Sequence, residues 1–502
     1  MELRFSKSTY CKAVQCPKML WLMKHHPELY DDAVEKQAIF NAGNEVGDLA
    51  MGLFGPYTEV PFDKDLTKML TCTEELLSAG TPVICEASFS YDGCFCSVDI
   101  LRNLGDGAVE LYEVKSATEL HEIYKHDVAY QVYVLSRLGY RVARACLVHI
   151  NNRYVLEGEL DLAGLFTIRD LTDLAMEMQP EVEERIRACR ALVAGEEEPG
   201  VEIGEQCSYP YDCGFWGHCA CHVPCPSVFD VSSLSKQKKW KLYREGIVSF
   251  RDIATAGALD GKYLQQVRFE LEDRAPHIDA DGIRGVLNKL SYPLYFLDFE
   301  TFNPAIPLYQ GTRPYMQIPF QYSLHYIARE GGPLCHTAFL AYPGQDPRRA
   351  LAEQLVRDIP PDVCTTAYNM TFEKGVIRQL AKQFPDLAGH LMNIHDHIQD
   401  LMVPFQKRWY YVRAMQGSYS IKYVLPALYP DDPGLDYHAL DGVHNGEEAS
   451  DTFKRMATMG KDELEHCRGC LLAYCGLDTY AMVKVWEKLR QAVGDEVGSS
   501  ES

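Results

Sequence analysis

The chain has 502 residues, 47% hydrophobic and 24% charged, which is too much for one ordinary core and suits two or three packed domains. Forty-nine basic against 71 acidic residues give a net charge of -22, which excludes a protein that coats nucleic acid nonspecifically but leaves room for a locally basic groove. No run approaches the roughly 18–20 apolar residues that span a bilayer, and the opening MELRFSKSTYCK lacks the apolar stretch of a secretory leader, so a cytoplasmic protein with no membrane partner is expected. In that reducing setting its 18 cysteines read as buried thiols with a clustered few as ligands, rather than as a disulfide framework.

Residues 1–225 begin with helical periodicity. In PVICEASFSYDGCFCSVDILRNLGDGAVELYEVKSAT, two turn signals, YDG and GDG, separate alternating apolar runs, which predicts a three-stranded antiparallel meander. A helix over about 119–138 follows, then a hairpin in ACLVHINNRYVLEG turning at its asparagines, then helices over about 168–195. Residues 226–290 read as a short helical connector, and a second α/β region covers 291–492. The polar end, 493–502, reads as disordered. The fold class is therefore α/β throughout, with two domains and a connector.

In the meander, Glu113 and Lys115 stand two apart and share a face, and the hairpin brings Asp99 alongside them. Two carboxylates can hold Mg²⁺ or Mn²⁺ against a phosphate while an ammonium orients the attacking water. Glu86, one strand earlier, adds a third carboxylate. The competing reading is an ion pair on a solvated strand.

Three cysteines, Cys207, Cys213 and Cys219, recur at equal gaps of five residues in CSYPYDCGFWGHC, as metal or cluster ligands do. Zinc sites usually take ligands in closer pairs. Zinc nevertheless stays a rival to an iron-sulfur cluster, as does no metal at all.

In YFLDFET, Asp298 and Glu300 again share a strand face. Tyr474 and Asp478, in YCGLDTYAMVKVWEKL, stack at i, i+4 on a helix. Packing that helix beside the strand would bring carboxylates and a phenol together, the arrangement that two-metal phosphodiester cleavage needs. Asp400, in IHDHIQDLMVPF, is a further acid at a strand end.

Lys239 and Trp240 belong to a stretch in which lysines interleave with aromatic rings, and Arg413 and Lys422 to a similar one. Such residues can neutralise phosphates and stack on unpaired bases. A surface helix with one apolar face would look much the same.

The stretches STYCKAVQCPKMLWL, VDIL, EVKSAT and YQVYVL together resemble the RecB-like branch of the PD-(D/E)XK nucleases, over about the first 225 residues. The likeness is nearest to the subgroup with an iron-sulfur cluster, which includes AddB-type helicase-nucleases and CRISPR-associated RecB-like exonucleases. The resemblance implies that Asp99 and Glu113 bind metal, that Lys115 assists water and that Gln131 closes the site. It also implies a 4Fe-4S cluster held by Cys16, which precedes Pro17, with Cys207, Cys213 and Cys219. The family's metal-binding histidine falls on Gly47, with Glu45 or water as a substitute.

The D-x-E strand and Y-x3-D helix resemble the DEDD exonucleases of the ribonuclease H-like fold, in the variant that uses tyrosine. AYNMTFEKGVIRQLA resembles their middle motif with Glu373 in place of aspartate, and Asp400 assists or replaces it. Residues 291–490 also look like a domain of unknown function found behind RecB-like nuclease domains.

These resemblances imply a nuclease that hydrolyses DNA, single-stranded or with free ends, using Mg²⁺ or Mn²⁺. Its setting would be repair, recombination or defence against foreign DNA, with a helicase or defence-system partner. RNA as substrate, and a nucleic-acid-binding or assembly module with decayed sites, are the alternatives.

Overall fold

The computed structural model describes residues 5–31 and 37–494, with side chains described outside 37–42. Of the tail expected to be disordered, 495–502 lie outside the described residues. The chain is mixed α/β and divides into two compact units, one of residues 1–222 with 304–316 and the other of 223–303 with 317–502. The helices expected as a connector, Lys236–Arg244, Phe250–Ala256 and Gly261–Glu272, group with the second unit. Residues 304–316, expected inside the second domain, group with the first.

In the first unit, two Asp-Gly pairs take the left-handed backbone that a two-residue hairpin turn requires, at Asp92 (φ 46°) with Gly93 and at Asp106 (φ 49°) with Gly107. They fold Val83–Tyr91, Cys94–Gly105 and Ala108–Lys115 into an antiparallel meander. The helix Glu122–Arg137 then carries the chain back to Arg141–Ile150, which runs parallel to Ala108–Lys115. The sheet has seven strands. Strand alternation divides its apolar residues between two faces. Leu101, Leu111 and Leu147 pack with Val128, Val132 and Leu135 of the helix, whereas Ile100, Tyr112 and Val148 pack with Val46, Ala50 and Ala305.

The hairpin expected in ACLVHINNRYVLEG is corrected. Arg141–Ile150 pairs instead with Phe166–Asp170, which also begins the range expected to be helical; the helices are Thr172–Glu177 and Gln179–Ala194. The backbone after the asparagines is taken by residues from the far half of the chain. Leu156 N–H donates to Thr312 O at 2.9 Å, and Gly311 N–H donates to Leu156 O at 2.8 Å. Gly158 exchanges two hydrogen bonds with the Gln310 amide, at 2.7 and 2.8 Å. A segment with its polar groups satisfied in this way has no need of a neighbouring ladder.

The second unit holds a five-stranded sheet ordered Leu334–Leu340, Ile318–Ile327, Leu294–Phe302, Cys364–Ala367, Ile398–Asp400. The first three strands are antiparallel and the last two join in parallel. Tyr295, Leu297 and Phe299 face a layer that includes Leu355, Val376 and Leu380. Leu294 and Phe296 point the other way, onto Met482, Val483 and Trp486 of the helix Lys461–Ala492. Asp298 and Glu300 have the parity of Phe296 and so lie on the face this long helix covers. No helix among the described residues is long and apolar enough to cross a membrane.

Candidate functional site

The first acidic constellation forms where two strands part. The ladder between Cys94–Gly105 and Ala108–Lys115 has its outermost pair at Ile100 and Tyr112. Beyond it the Asp99 side chain takes over, its Oδ2 accepting the Val114 N–H at 2.6 Å. Opposite, Glu86 holds a left-handed backbone (φ 55°) in mid-strand, a strained conformation of the kind that clusters at functional sites.

Glu113 is the hub. Lys7 Nζ donates to both its oxygens at 2.9 Å, Lys115 Nζ to Oε1 at 2.6 Å, and Gln131 Nε2 to Oε2 at 2.6 Å. Asp127 and Gln131 share one face of their helix at i, i+4, and Asp127 accepts from Lys115 at 2.7 Å and from Gln131 at 3.0 Å. The fully buried Gln131 Oε1 has no hydrogen-bond partner and is an acceptor available to an ion or water.

Burial and the neighbouring Glu113 push the Asp99 carboxyl up to about 7. Burial opposes ionisation of Glu113, yet Lys115 and Lys7 outweigh it and hold that carboxyl below its usual range. Burial likewise opposes charge on Lys115, but Asp127 and Glu113 prevail and raise it. Burial raises Glu86, which lies within the electrostatic reach of Lys7 and Glu113. An added side chain at Gly47 would meet open space.

The second constellation collects four acids around the strand Leu294–Phe302 and the helix Lys461–Ala492. Asp298 feels Asp478, Glu300 and Glu373, and Glu300 feels Asp478 and Glu373. One ligand atom each from Asp298, Glu300 and Cys475 falls within 4.8 Å of the others, a group able to hold a metal ion. Tyr437 donates to Asp478 Oδ1 at 2.7 Å, and the Tyr437 and Tyr474 rings lie 6.0 Å apart.

Burial is the first cause of every shift here. It lifts Asp298 well above the ordinary range, with Asp478 adding to it, lifts Glu300 to about 8 with the same help, and lifts Glu373 to about 8. Asp478 rises to about 6 against the opposing Tyr437 hydrogen bond and Lys422 charge. Glu373 Oε2 is buried without a hydrogen-bond partner. The first constellation is balanced by two half-buried lysines; among the described residues this one has the exposed Lys422 as its nearby cation.

Asp400 is already occupied. Its carboxylate accepts the N–H groups of Asn369 (3.1 Å), Met370 (3.2 Å) and Met402 (2.9 Å), so it caps the helix that carries Glu373.

Cys16, Cys207, Cys213 and Cys219 line one cavity of the first unit, with Met19, Leu22 and Phe215 around it. Pro17 breaks the N-terminal helix pair at Cys16. Gln15 Nε2 fixes that break to the cysteine loop by donating to Gln206 O and Tyr211 O, both at 2.7 Å. The neighbouring Cys221 and Cys225 are exposed, and Cys11 packs against the main core.

Residues 295–420 match the family described as Domain of unknown function (DUF2779). No curated protein matches the chain. The matched stretch contains Asp298, Glu300, Glu373, Asp400 and Arg413 and stops short of Lys422, Tyr474 and Asp478.

Of the residues expected to grip nucleic acid, Lys422 is exposed beside Glu300 and Asp478, and Lys239, Trp240 and Arg413 are engaged elsewhere. Trp240 is buried against Phe229 and Tyr243, and Lys239 Nζ donates to Phe229 O at 2.6 Å. Their alternation of charge and ring therefore builds a small core, which corrects the expectation of a stacking surface. Arg413 pairs with Glu270 through two hydrogen bonds, at 3.0 and 2.8 Å.

The sequence reading missed Lys7, Asp127, Tyr437 and Cys475. Asp127 alone carried a local signal, its i, i+4 spacing from Gln131. A further group, Asp441, His466 and Cys470, also converges within 4.8 Å and lies outside the sites expected from the sequence.

Proposed function

We propose that the protein is a cytoplasmic metal-dependent nuclease that hydrolyses phosphodiester bonds of DNA, with Mg²⁺ or Mn²⁺ at each of two acidic sites. The observation that carries the reading is the second constellation. Glu300 and Glu373 are buried and Asp298 and Asp478 half-buried beside them, with no buried counter-cation among the described residues, an arrangement at odds with burying charge unless divalent ions complete it. The order of its sheet, three antiparallel strands continued by two parallel ones, supports a ribonuclease H-like exonuclease reading.

In this reading two ions held by the four acids would clamp the attacking and leaving oxygens. Tyr474, stacked one turn from Asp478, positions the nucleophilic water, and Tyr437 orients Asp478 through its hydrogen bond. At the first site Asp99 and Glu113 hold the metal, Lys115 orients water, and Gln131 and Lys7 hold Glu113 in place. The four cysteines suit a 4Fe-4S cluster by donor type, by their shared cavity and by the five-residue gaps between the last three. There it would tie Cys16 to the loop some two hundred residues on and serve as a structural clamp.

The test uses the full chain purified without oxygen and end-labelled single-stranded DNA, duplex DNA and RNA with Mn²⁺. Paired variants carry Asp99→Ala with Lys115→Ala, or Asp298→Ala with Glu300→Ala. Loss of cleavage with one pair assigns the chemistry to that site. Cleavage unchanged by both pairs would remove the enzymatic reading.

A further inference from the structure

The first unit contains a cavity of about 750 Å³ that neither constellation uses, within the roughly 300–1,000 Å³ range of ligand pockets. Its wall includes His121 and Tyr124 at the start of the helix Glu122–Arg137, Arg153 from the turn after Arg141–Ile150, and Arg313 and Tyr315 from the segment 304–316. It opens beside the first acidic site. Lys115 Nζ stands 5.5 Å from the centre of the Tyr124 ring, and the Tyr315 hydroxyl donates to the carbonyl of Ser116, the residue after Lys115.

Two features mark this wall as built. Tyr315 holds a left-handed backbone (φ 59°), a genuine outlier for a bulky residue and one that surrounding contacts must impose. Those contacts are the hydrogen bonds that fasten 310–312 to Leu156 and Gly158. The arginines are the second feature. The chain has a net charge of -22, and its exposed Arg187, Arg190 and Arg349 are each neutralised by a carboxylate. Arg153 and Arg313 are exposed on the same cavity and, among the described residues, neither has an ion-pair partner. The one carboxylate in the wall is the exposed Glu119.

We propose that this cavity is a subsite for an unpaired polynucleotide strand: Arg153 and Arg313 take its phosphates, the Tyr124 and Tyr315 rings take its bases, and the strand's next phosphodiester bond lies at Lys115. Rings and guanidinium groups on one wall suit a single strand, because the bases of a duplex are already stacked on one another. Arginine, with its planar fork of donors, is the residue suited to phosphate oxygens. The subsite rests on the nuclease reading for its purpose, but binding can be measured apart from cleavage.

The experiment uses the full chain, purified without oxygen and without added divalent ions, and follows fluorescence anisotropy of 5′-labelled 12-mers, as single-stranded DNA, single-stranded RNA and blunt duplex. Wild type is expected to prefer single strands to duplex. Arg153→Glu and Arg313→Glu should each weaken binding about tenfold and flatten the salt dependence by about 0.7 in the log–log slope. Tyr315→Ala should weaken binding where Tyr315→Phe retains it, and Arg187→Glu, on a distant helix, should change nothing. Thermal midpoints check that the variants fold.

A preference for DNA or for RNA identifies the source of the strand, and either supports the subsite. No binding by wild type, or wild-type affinity and salt slope in both arginine variants, overturns it. Arginine-dependent binding without Mn²⁺-dependent cleavage would keep the subsite and sink the nuclease reading. Cleavage that needs Asp99 and Lys115 but ignores both arginines would do the reverse.

Discussion

Lys7, the first residue of its helix, places its ammonium 2.9 Å from both oxygens of Glu113, a residue 106 positions later in the chain and almost wholly buried. The same ammonium lies 3.6 Å from Asp99 Oδ1. It thus occupies the electrostatic place beside two expected metal ligands.

Lys7→Met should therefore separate stability from metal binding. Removing one partner of a buried charge leaves the other uncompensated, and because Lys7 is partly exposed the cost is expected near about 1–3 kcal/mol. Mn²⁺ should recover more of the thermal midpoint in the variant than in wild type, since the ion replaces the missing charge. Equal recovery in the two proteins would mean that no ion binds between Asp99 and Glu113.

Metal affinity at the second site should rise with pH. The Glu300 and Glu373 carboxyls, raised from ordinary values near 4.5 to about 8, still hold protons at neutral pH that an unfolded chain has released. An incoming ion must displace them, so Mn²⁺ binding measured calorimetrically should tighten about tenfold or more between pH 6 and pH 8. Glu300→Gln should flatten that dependence.

The same protons set the sign for stability without metal. The folded state binds more of them than the unfolded state, so the contribution of these groups to stability falls as pH rises from about 4.5 towards 8. Asp298→Asn and Glu300→Gln should raise the metal-free thermal midpoint at pH 8 by about 2–4 °C each, with a smaller gain at pH 5. A fall at pH 8 would show that the acids do not repel one another.

Cys16→Ser and Cys213→Ser should each abolish the visible absorption near 400 nm expected of an iron-sulfur cluster. Each should also destabilise the first unit by about 4–5 kcal/mol, the scale set by closing so long a loop. Cys221→Ser, at an exposed thiol outside that cavity, should leave both readouts unchanged. A colourless protein that releases zinc from the Cys16 site would replace the cluster with the metal that the spacing disfavours.

Local grammar carried part of this molecule. The Asp-Gly turns at 92–93 and 106–107 mark the meander because few other pairs adopt that backbone, and period 2 puts Asp298 with Glu300 as it puts Glu113 with Lys115. Lys7 could not be found this way, because a lysine at a helix start has no signature for a partner 106 residues off. Tyr437 and Cys475 are likewise joined to Asp478 and Asp298 by tertiary packing alone. Lysines alternating with rings at 236–244 suit a phosphate-binding face or a small core equally, and Trp240 chose the core. The excursion of 304–316 did leave a trace: antiparallel neighbours usually need two to five residues between them, and Leu294–Phe302 and Ile318–Ile327 are joined by far more.

That excursion also governs how the gene could be cut. A product ending near residue 225 would lose Ala305, Ile306 and Tyr315 from one apolar layer and strip Leu156 of both its backbone partners. The amino-terminal half is thus completed by a loan from sequence encoded later, so shuffling of the halves between genes would leave it unfinished unless that loop travelled with it.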